Sequence, residues 1–204
     1  MPTNASLSTD IHFFNNKVRM LGFIANVSGP VYVRDSIILP STGFNNRFFV
    51  DINLNGNIEK VYNLFQNNNP IASFSMQDVG NFDKNQFYLL VQTSGAFIQP
   101  GNNKLRVHNT TINIPNTLNA ILIKTVSNFN VYQYKILDPS GNPLFLDFSK
   151  DRLSINESGD SLFLLLNLSS GNYVVDQFNV NIGMQRYVAS YDTTLVTRSL
   201  LRIS

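Results

Sequence analysis

Two histidines, His12 and His108, are the side chains in this sequence best suited to acid–base chemistry, because histidine titrates near neutral pH. Neither has a second ligand at a spacing such as His-x-Glu or His-x3-His, so the sequence predicts no metal site. The chain contains no cysteine, which removes thiolate ligands, cysteine nucleophiles and disulfides from consideration. The Gly-x-Ser-x-Gly pattern that presents a serine nucleophile is missing as well. We therefore expect no catalytic residue and no bound metal.

Carboxylates concentrate in one stretch, where Asp151, Glu157 and Asp160 follow one another closely. Paired carboxylates can hydrolyse glycosidic bonds, and carboxylates on turns can hold Ca2+. The stretch is rich in turn residues and lacks the Asp-x-Asn-x-Asn-Gly loop pattern, so a solvated acidic loop is the better interpretation. The sequence has no glycine-rich phosphate loop, and we expect no cofactor. An enzyme on this scaffold would need His12 or His108 to meet acids in one pocket.

The charge pattern argues against nucleic acid and membrane as partners. Lys and Arg number 15 and Asp and Glu 13, so the formal net charge is +2, and the basic residues are scattered. Neutralising many phosphates requires clustered basic residues, so we expect no nucleic-acid partner. No apolar run approaches the roughly 18 residues of a membrane span, so no membrane partner is expected. The chain can still bury a core, since it contains 16 Phe and 8 Tyr.

Short apolar segments bounded by Asn, Gly, Pro or Asp recur along the chain, and this punctuation is typical of β-strands. Asparagine pairs such as Asn15-Asn16 favour turns, while Glu, a good helix former, is scarce. Residues 58–65 have apolar positions at helical spacing, but we rank a strand above a helix there. The pattern predicts an all-β protein with strands at 11–14, 19–27, 31–33, 37–39, 47–54, 61–66, 71–76, 86–92, 104–107, 120–126, 131–137, 144–148, 161–168, 173–182 and 186–190.

The second half of the chain echoes the first. Residues 61–74 and 133–148 each consist of a strand, an Asn/Gly/Pro turn and a second strand, which predicts a β-hairpin in both places. Residues 86–98 and 161–174 each contain an apolar strand that ends in Ser-Gly before an aromatic residue. This repetition predicts two tandem antiparallel β-sandwich domains of the immunoglobulin-like type, and the alternative is a single jelly-roll-type sandwich with an accidental repeat. The expected division is an N-terminal arm plus first sandwich at 1–108, a linker or edge strand at 109–119, and a second sandwich with a C-terminal strand at 120–204.

The hairpin pairs, the Ser-Gly strand ends and the lack of a signal-peptide pattern in residues 1–10 resemble the immunoglobulin-like sandwich domains in structural proteins of tailed bacteriophages. The resemblance covers roughly residues 48–182 and consists of strand and turn patterning. It implies a non-enzymatic virion component, such as a capsid decoration, head-fibre, collar, baseplate or tail protein, that assembles in the host cytoplasm. Its implied partners are other virion proteins or copies of itself.

Apolar residues outside the repeated region mark the segments that we expect to contact partners. The alternative is that these residues only complete the two sandwiches. A second function also stays open: a carbohydrate- or cell-surface-binding adhesin module, which would be extracellular and would present exposed aromatic residues to a glycan. The residues expected at a partner interface are Phe13, Phe14, Val18 and Met20 in the N-terminal arm and Leu195, Val196, Leu200 and Leu201 in the C-terminal strand.

Overall fold

The computed structural model describes residues 5–24, 31–33, 37–39, 46–63, 74–83, 86–93, 104–108, 110–113, 120–137, 153–155, 160–168, 171–175, 178–182 and 185–203. Within these ranges the regular structure consists of β-strands alone, which confirms the all-β class. In chain order the strands are β1 (Ala5–Phe14), β2 (Lys17–Ile24), β3 (Val31–Val33), β4 (Ile37–Leu39), β5 (Asn46–Asn53), β6 (Ile58–Asn63), β7 (Phe74–Asp83), β8 (Gln86–Thr93), β9 (Lys104–Val107), β10 (Thr110–Asn113), β11 (Ala120–Val126), β12 (Val131–Ile136), β13 (Leu153–Ile155), β14 (Ser161–Leu168), β15 (Gly171–Val175), β16 (Phe178–Ile182), β17 (Gln185–Asp192) and β18 (Thr197–Ile203). The described part of the chain contains no helix of the length and hydropathy needed to cross a membrane.

Three four-stranded antiparallel sheets form the main framework of the described residues. The first sheet has the strand order β1-β2-β5-β6, the central sheet β12-β11-β8-β7, and the third sheet β13-β14-β17-β18. Three two-stranded ribbons, β3-β4, β9-β10 and β15-β16, accompany them. Strand β6 begins at Ile58, so the choice of a strand over a helix in this segment is confirmed.

The turn between β1 and β2 shows why paired asparagines suit this fold. Asn15 and Asn16 form a two-residue connection with φ values of 45° and 57°. Two consecutive left-handed residues match the twist of a tight hairpin, and Asn tolerates this conformation better than most side chains. The prediction that the asparagine pair forms a turn is therefore confirmed at this position.

The two middle strands of the central sheet, β8 and β11, are buried on both faces. Residues 87–91 on β8 and 120–125 on β11 are all buried, whereas a sheet with one solvated face would alternate between buried and exposed positions. On β8, Phe87 and Leu89 belong to a core cluster on one face, and Tyr88 and Leu90 belong to a different cluster on the other. The apolar runs of β8 and β11 are therefore explained by two-sided burial.

Each face of the central sheet packs against a different layer. One core cluster joins β8 and β11 to Phe49 and Tyr62 of the first sheet and to the β9-β10 ribbon. The other cluster joins them to the third sheet, through residues such as Leu164 and Ala189, and to the β15-β16 ribbon. The described residues thus form layers in which the central sheet lies between the first and third sheets.

The central sheet also crosses the expected boundary between domains. Strand β8, from the expected first domain, pairs with β11, from the expected second, over a ladder that runs from Gln86↔Val126 to Gln92↔Ala120. Part of the expected linker, Thr110–Asn113, forms β10 and pairs with β9. Residues from both sides of 109–119 therefore share this sheet and both core clusters.

Candidate functional site

A buried ion pair lies on the face of the first sheet that packs against the central sheet. Arg19 on β2 and Asp51 on β5 are register neighbours, and only 1% and 3% of their surfaces are exposed. The Nε and Nη2 atoms of Arg19 donate to the two carboxylate oxygens of Asp51 at 2.6 and 2.8 Å. Its Nη1 atom donates to the carbonyl oxygen of Ser127, in the turn between β11 and β12, at 2.9 Å. The guanidinium therefore connects the first sheet to the central sheet.

Aromatic rings surround the Arg19 guanidinium. The carbon Cζ lies 4.7 Å from the ring centroids of Phe87 and Phe129 and 5.1 Å from that of Tyr62. The Tyr62 hydroxyl donates to Asp51 at 3.3 Å. Burial, followed by the negative charge of Asp51, raises the pKa of Tyr62, so the phenol stays neutral at ordinary pH. The polar groups of this cluster are buried and hydrogen-bonded to one another, and the cluster therefore stabilises the fold.

A second set of polar contacts holds the turn between β17 and β18 in shape. Oδ1 of Asp192 accepts hydrogen bonds from the backbone N–H groups of Thr194 and Val196 at 2.8 and 3.0 Å and from the Thr194 hydroxyl at 2.7 Å. Burial acts to raise the pKa of Asp192, but the hydrogen bonds and the positive charge of Arg198 lower it overall. The ionised carboxylate is therefore the form that organises this turn.

The same turn docks on the central sheet through its carbonyl groups. Lys124 on β11 donates to the carbonyl oxygen of Thr193 at 2.6 Å, and Lys135 on β12 donates to that of Leu195 at 3.0 Å. The Lys124 side chain is buried, so its ammonium group needs these protein oxygens. Both lysines thus have structural partners between the central and third sheets.

The structure describes only part of the set of residues suited to acid–base chemistry. His12 is paired in register with Arg19 in the first sheet, while His108 directly follows β9 and lies in the left-handed region with φ 49°. Asp160 is exposed and accepts a hydrogen bond from Ser161 at 2.8 Å. Asp151 and Glu157 lie outside the described residues. Within the described ranges, no group of three or more His, Asp or Glu side chains is placed to hold a metal ion.

An exposed apolar patch lies at the β1-β2 side of the first sheet, on the face that also carries the buried residues Phe48 and Val50 of β5. Register pairs Ile11 with Met20 and Phe13 with Val18. Side chains alternate along a strand, and Arg19 points toward the central sheet, so these four residues lie on the opposite face. Ile11 and Phe13 are 60% and 67% exposed, and Val18 and Met20 are half-buried. We call Ile11, Phe13, Val18 and Met20 the first-sheet patch.

A similar patch lies on the outward face of the third sheet. Register places Leu165 beside Val188, and Val188 beside Leu201, in one row across three strands. Ile203 is two residues further along β18 and therefore on the same face. Leu201 and Ile203 are 62% and 43% exposed, whereas Leu165 and Val188 are half-buried. We call Leu165, Val188, Leu201 and Ile203 the third-sheet patch.

The eight residues expected at a partner interface fall into different environments. Leu195 is 2% exposed and packs in the core between the central and third sheets, so its side chain is not presented to a partner. Leu195 lies in the turn between β17 and β18 with a φ of 58°. Turn residues are usually on the surface, but the side chain of Leu195 points inward. The Phe14 side chain lies outside the described residues. Of the others, Phe13, Val196 and Leu201 are exposed, and Val18, Met20 and Leu200 are half-buried.

No protein-family model, curated protein or solved structure matches this chain. Sequence reasoning missed Ile11, Leu165, Val188 and Ile203 as surface residues. The alternation of apolar side chains within each strand was the available signal, but a single sequence does not tell which face of a strand is covered.

Proposed function

We propose that this protein is a non-enzymatic structural or accessory component of a virion that acts by assembling with other proteins. The observation that carries the proposal is the presence of exposed apolar residues on one face of each outer sheet. Contiguous apolar surface of this kind marks interaction sites in soluble proteins. The first-sheet and third-sheet patches are the surfaces that we assign to assembly.

The all-β architecture and the resemblance to tailed-bacteriophage structural proteins support the virion context. We propose that the sheets form immunoglobulin-like sandwiches that share the central sheet. The protein would then be located in the virion after assembly in the host cytoplasm, where a cysteine-free chain is well suited because disulfides are rare there. Capsid decoration, head-fibre, collar, baseplate and tail positions all agree with this role.

The contacts of the buried polar groups favour a structural role over catalysis. Arg19, Lys124 and Lys135 direct donors at carboxylate, carbonyl or hydroxyl oxygens of neighbouring layers. Groups that are held in this way stabilise the packing of sheets, whereas a catalytic group needs access to substrate. The buried charges of this protein therefore support a building block.

The test is the composition of purified particles. Particles from the source of the protein are separated on a density gradient, and each fraction is analysed by quantitative mass spectrometry. We expect peptides of this chain to comigrate with the major coat protein at a fixed molar ratio across the particle peak. A chain found only in fractions free of particles would contradict the virion role.

A carbohydrate-binding module is the second candidate because two tyrosines are exposed on β12. Tyr132 and Tyr134 are 71% and 42% exposed, and aromatic faces stack well on sugar rings. Retention on a glycan column that is lost in a Tyr132→Ala variant would favour this function. Retention that is unchanged in the variant, or no retention at all, would reject Tyr132 as a glycan-binding residue.

A further inference from the structure

The third sheet ends in a strand with one unpaired edge among the described residues. Strand β18 pairs with β17 along one side, and no described strand pairs with its other side. Such an edge presents free backbone N–H and C=O groups to another strand. This makes the edge of β18 a potential site of sheet extension.

A bulge defines the part of β18 that can extend the sheet. Ser190 pairs with Ser199 and Tyr191 pairs with Thr197, so Arg198 has no register partner. A bulge bends a strand and interrupts regular pairing. The regular part of the strand described here therefore runs from Ser199 to Ile203, and its midpoint is Leu201.

We propose that this edge pairs antiparallel with the same edge of a second copy of the chain, with Leu201 on the two-fold axis. The inference deepens the proposed function, on which it depends, by naming the partner of the third-sheet patch. Pairing over the full length of the regular segment places Leu201 opposite Leu201, Leu200 opposite Arg202 and Ser199 opposite Ile203. A two-fold arrangement of this kind closes on itself and gives a dimer.

The outward face of the third sheet favours this register. Residues directly opposite in an antiparallel pair share a face, and an odd shift would move every apolar side chain to the other face. With Leu201 on the axis, the row Leu165–Val188–Leu201 continues into the same row of the second copy. The exposed surface of Leu201, 62% of the residue, is then covered by its own counterpart.

The positions of the arginines favour the register with Leu201 on the axis over the register with Leu200 on the axis. If Leu200 lay on the axis, Arg198 would be opposite Arg202, and like charges directly opposite are destabilising. With Leu201 on the axis, each Arg202 faces a leucine instead. Arg198 is already held by the third sheet, since its Nη1 atom lies 3.5 Å from the Ser161 hydroxyl and its charge acts on Asp192.

Light scattering on the full chain over a concentration series tests whether the dimer forms. We expect a reversible monomer–dimer equilibrium that Leu201→Lys weakens by more than about tenfold in dissociation constant, since two lysines would then meet at the axis. The matched control is Leu54→Lys, because Leu54 is 67% exposed but lies in the turn between β5 and β6 of the first sheet. A chain that is monomeric at every concentration would overturn the inference, as would a dimer that tolerates Leu201→Lys. Thermal melts of both variants establish that they are folded.

Cysteine cross-linking tests the register without disrupting the edge. The chain has no cysteine, so each introduced thiol is unique. With a short bifunctional thiol reagent, Leu201→Cys is expected to give cross-linked dimer, and Leu54→Cys none. A mixture of Ser199→Cys and Ile203→Cys chains should cross-link to each other. Cross-linking of Ser199→Cys to Leu201→Cys chains with none at Leu201→Cys alone would overturn the register.

Three further outcomes bear on this inference, and the last two separate it from the proposed function. A monomeric chain whose β18 edge binds a synthetic strand of alternating Val and Glu would show that the edge takes an acidic segment, which overturns the dimer. A monomer that is nevertheless present in purified particles would overturn the dimer and leave the virion role standing. A cross-linked dimer that is missing from particles would support this edge contact while contradicting the virion role.

Discussion

The Arg19 guanidinium donates two parallel hydrogen bonds to the Asp51 carboxylate in the space between the first and central sheets. Both side chains are buried, and the Nη1 atom of Arg19 donates to the carbonyl oxygen of Ser127 in the turn between β11 and β12. Each charge therefore depends on the other for compensation, because water is not available to replace a missing partner. The pair fixes how the first sheet sits on the central sheet.

Removal of Arg19 alone is expected to destabilise the protein strongly. Arg19→Met leaves a buried carboxylate without its cation and should lower the free energy of unfolding by about 3–5 kcal/mol. The double variant Arg19→Met/Asp51→Leu removes both charges and should recover most of this loss. Urea denaturation measures all three proteins. Equal destabilisation in the single and double variants would contradict the uncompensated-charge explanation.

The ion pair between Lys17 and Glu59 serves as the control. It connects β2 to β6 of the first sheet and is partly exposed, with side-chain exposures of 37% and 34%. The hydrogen bond to Glu59 raises the pKa of Lys17, yet water can solvate either charge when its partner is removed. Lys17→Met should leave the urea midpoint essentially unchanged.

Phe129 offers a test of backbone strain inside a core. It is fully buried, stacks on Phe49 with ring centroids 4.4 Å apart, and has a φ of 64° that disfavours side chains with a Cβ atom. Phe129→Ala should cost about 3–5 kcal/mol of unfolding free energy through the lost ring. Phe129→Gly should cost about 1 kcal/mol less than Phe129→Ala, because glycine accepts a positive φ.

The comparison at Phe87 shows whether the glycine effect is local. Phe87 is also fully buried but lies in the regular β8 strand. There glycine should be worse than alanine, since it loses more backbone entropy on folding. Chemical denaturation of the four variants gives the two differences, and the same sign at both positions would contradict the role of the positive φ.

Asp192 is expected to make stability depend on acid pH. Its pKa is lowered in the folded protein, so its contribution is fully present above the unfolded-state value of about 3.9 and is lost as pH falls through the lower folded-state value. Asp192→Asn keeps an acceptor oxygen at the turn but does not titrate. The difference in urea midpoint between wild type and Asp192→Asn should therefore be constant near neutral pH and shift against the wild type below about pH 4.

The variant Asp192→Ala separates the stability that comes from the hydrogen bonds of the turn from the pH dependence that comes from ionisation of Asp192. Alanine removes all three hydrogen bonds to Oδ1 and should cost about 1 kcal/mol at neutral pH. A wild type whose midpoint follows that of Asp192→Asn in parallel down to pH 3 would contradict the lowered pKa.

Phe13 is expected to matter for assembly and little for folding. Because it is 67% exposed, Phe13→Asp should change the free energy of unfolding by no more than about 0.5 kcal/mol. The charge would nevertheless disrupt an apolar contact at the first-sheet patch, and incorporation into particles should fall at least about tenfold. The control is Tyr132→Asp, at a residue that is 71% exposed in the central sheet. Normal incorporation of Phe13→Asp would remove the first-sheet patch from the proposed interface.

Local strand positions could be predicted because short apolar runs and turn residues carry that information. The predicted bounds of β3, β4, β9, β11 and β14 agree with the structure. The first half of β1 was missed, since Ala5–Asp10 is polar and gains its strand conformation from pairing with β2. The segment 144–148 and the turns of both predicted hairpins lie outside the described residues.

The pairing of distant strands could not be predicted from local pattern. Nothing in the sequence near Arg19 indicates that its partner lies 32 residues away or that both are buried. Likewise, the surface patches depend on which face of a strand another layer covers, which is a property of the assembled sheets. Leu201 was found because it is apolar near the chain end, and Leu195 was assigned to the surface by the same reasoning although it is buried.

Because β8 and β11 are paired across residues 109–119, cutting the chain there would divide one sheet between two fragments. Each fragment would contain two strands of the central sheet, with apolar side chains on both faces. The strand that pairs with them would be in the other fragment. Neither piece should fold alone, but an equimolar mixture should recover the native circular dichroism spectrum. The molecule would then behave as a split protein, in which association of the halves and folding are the same event.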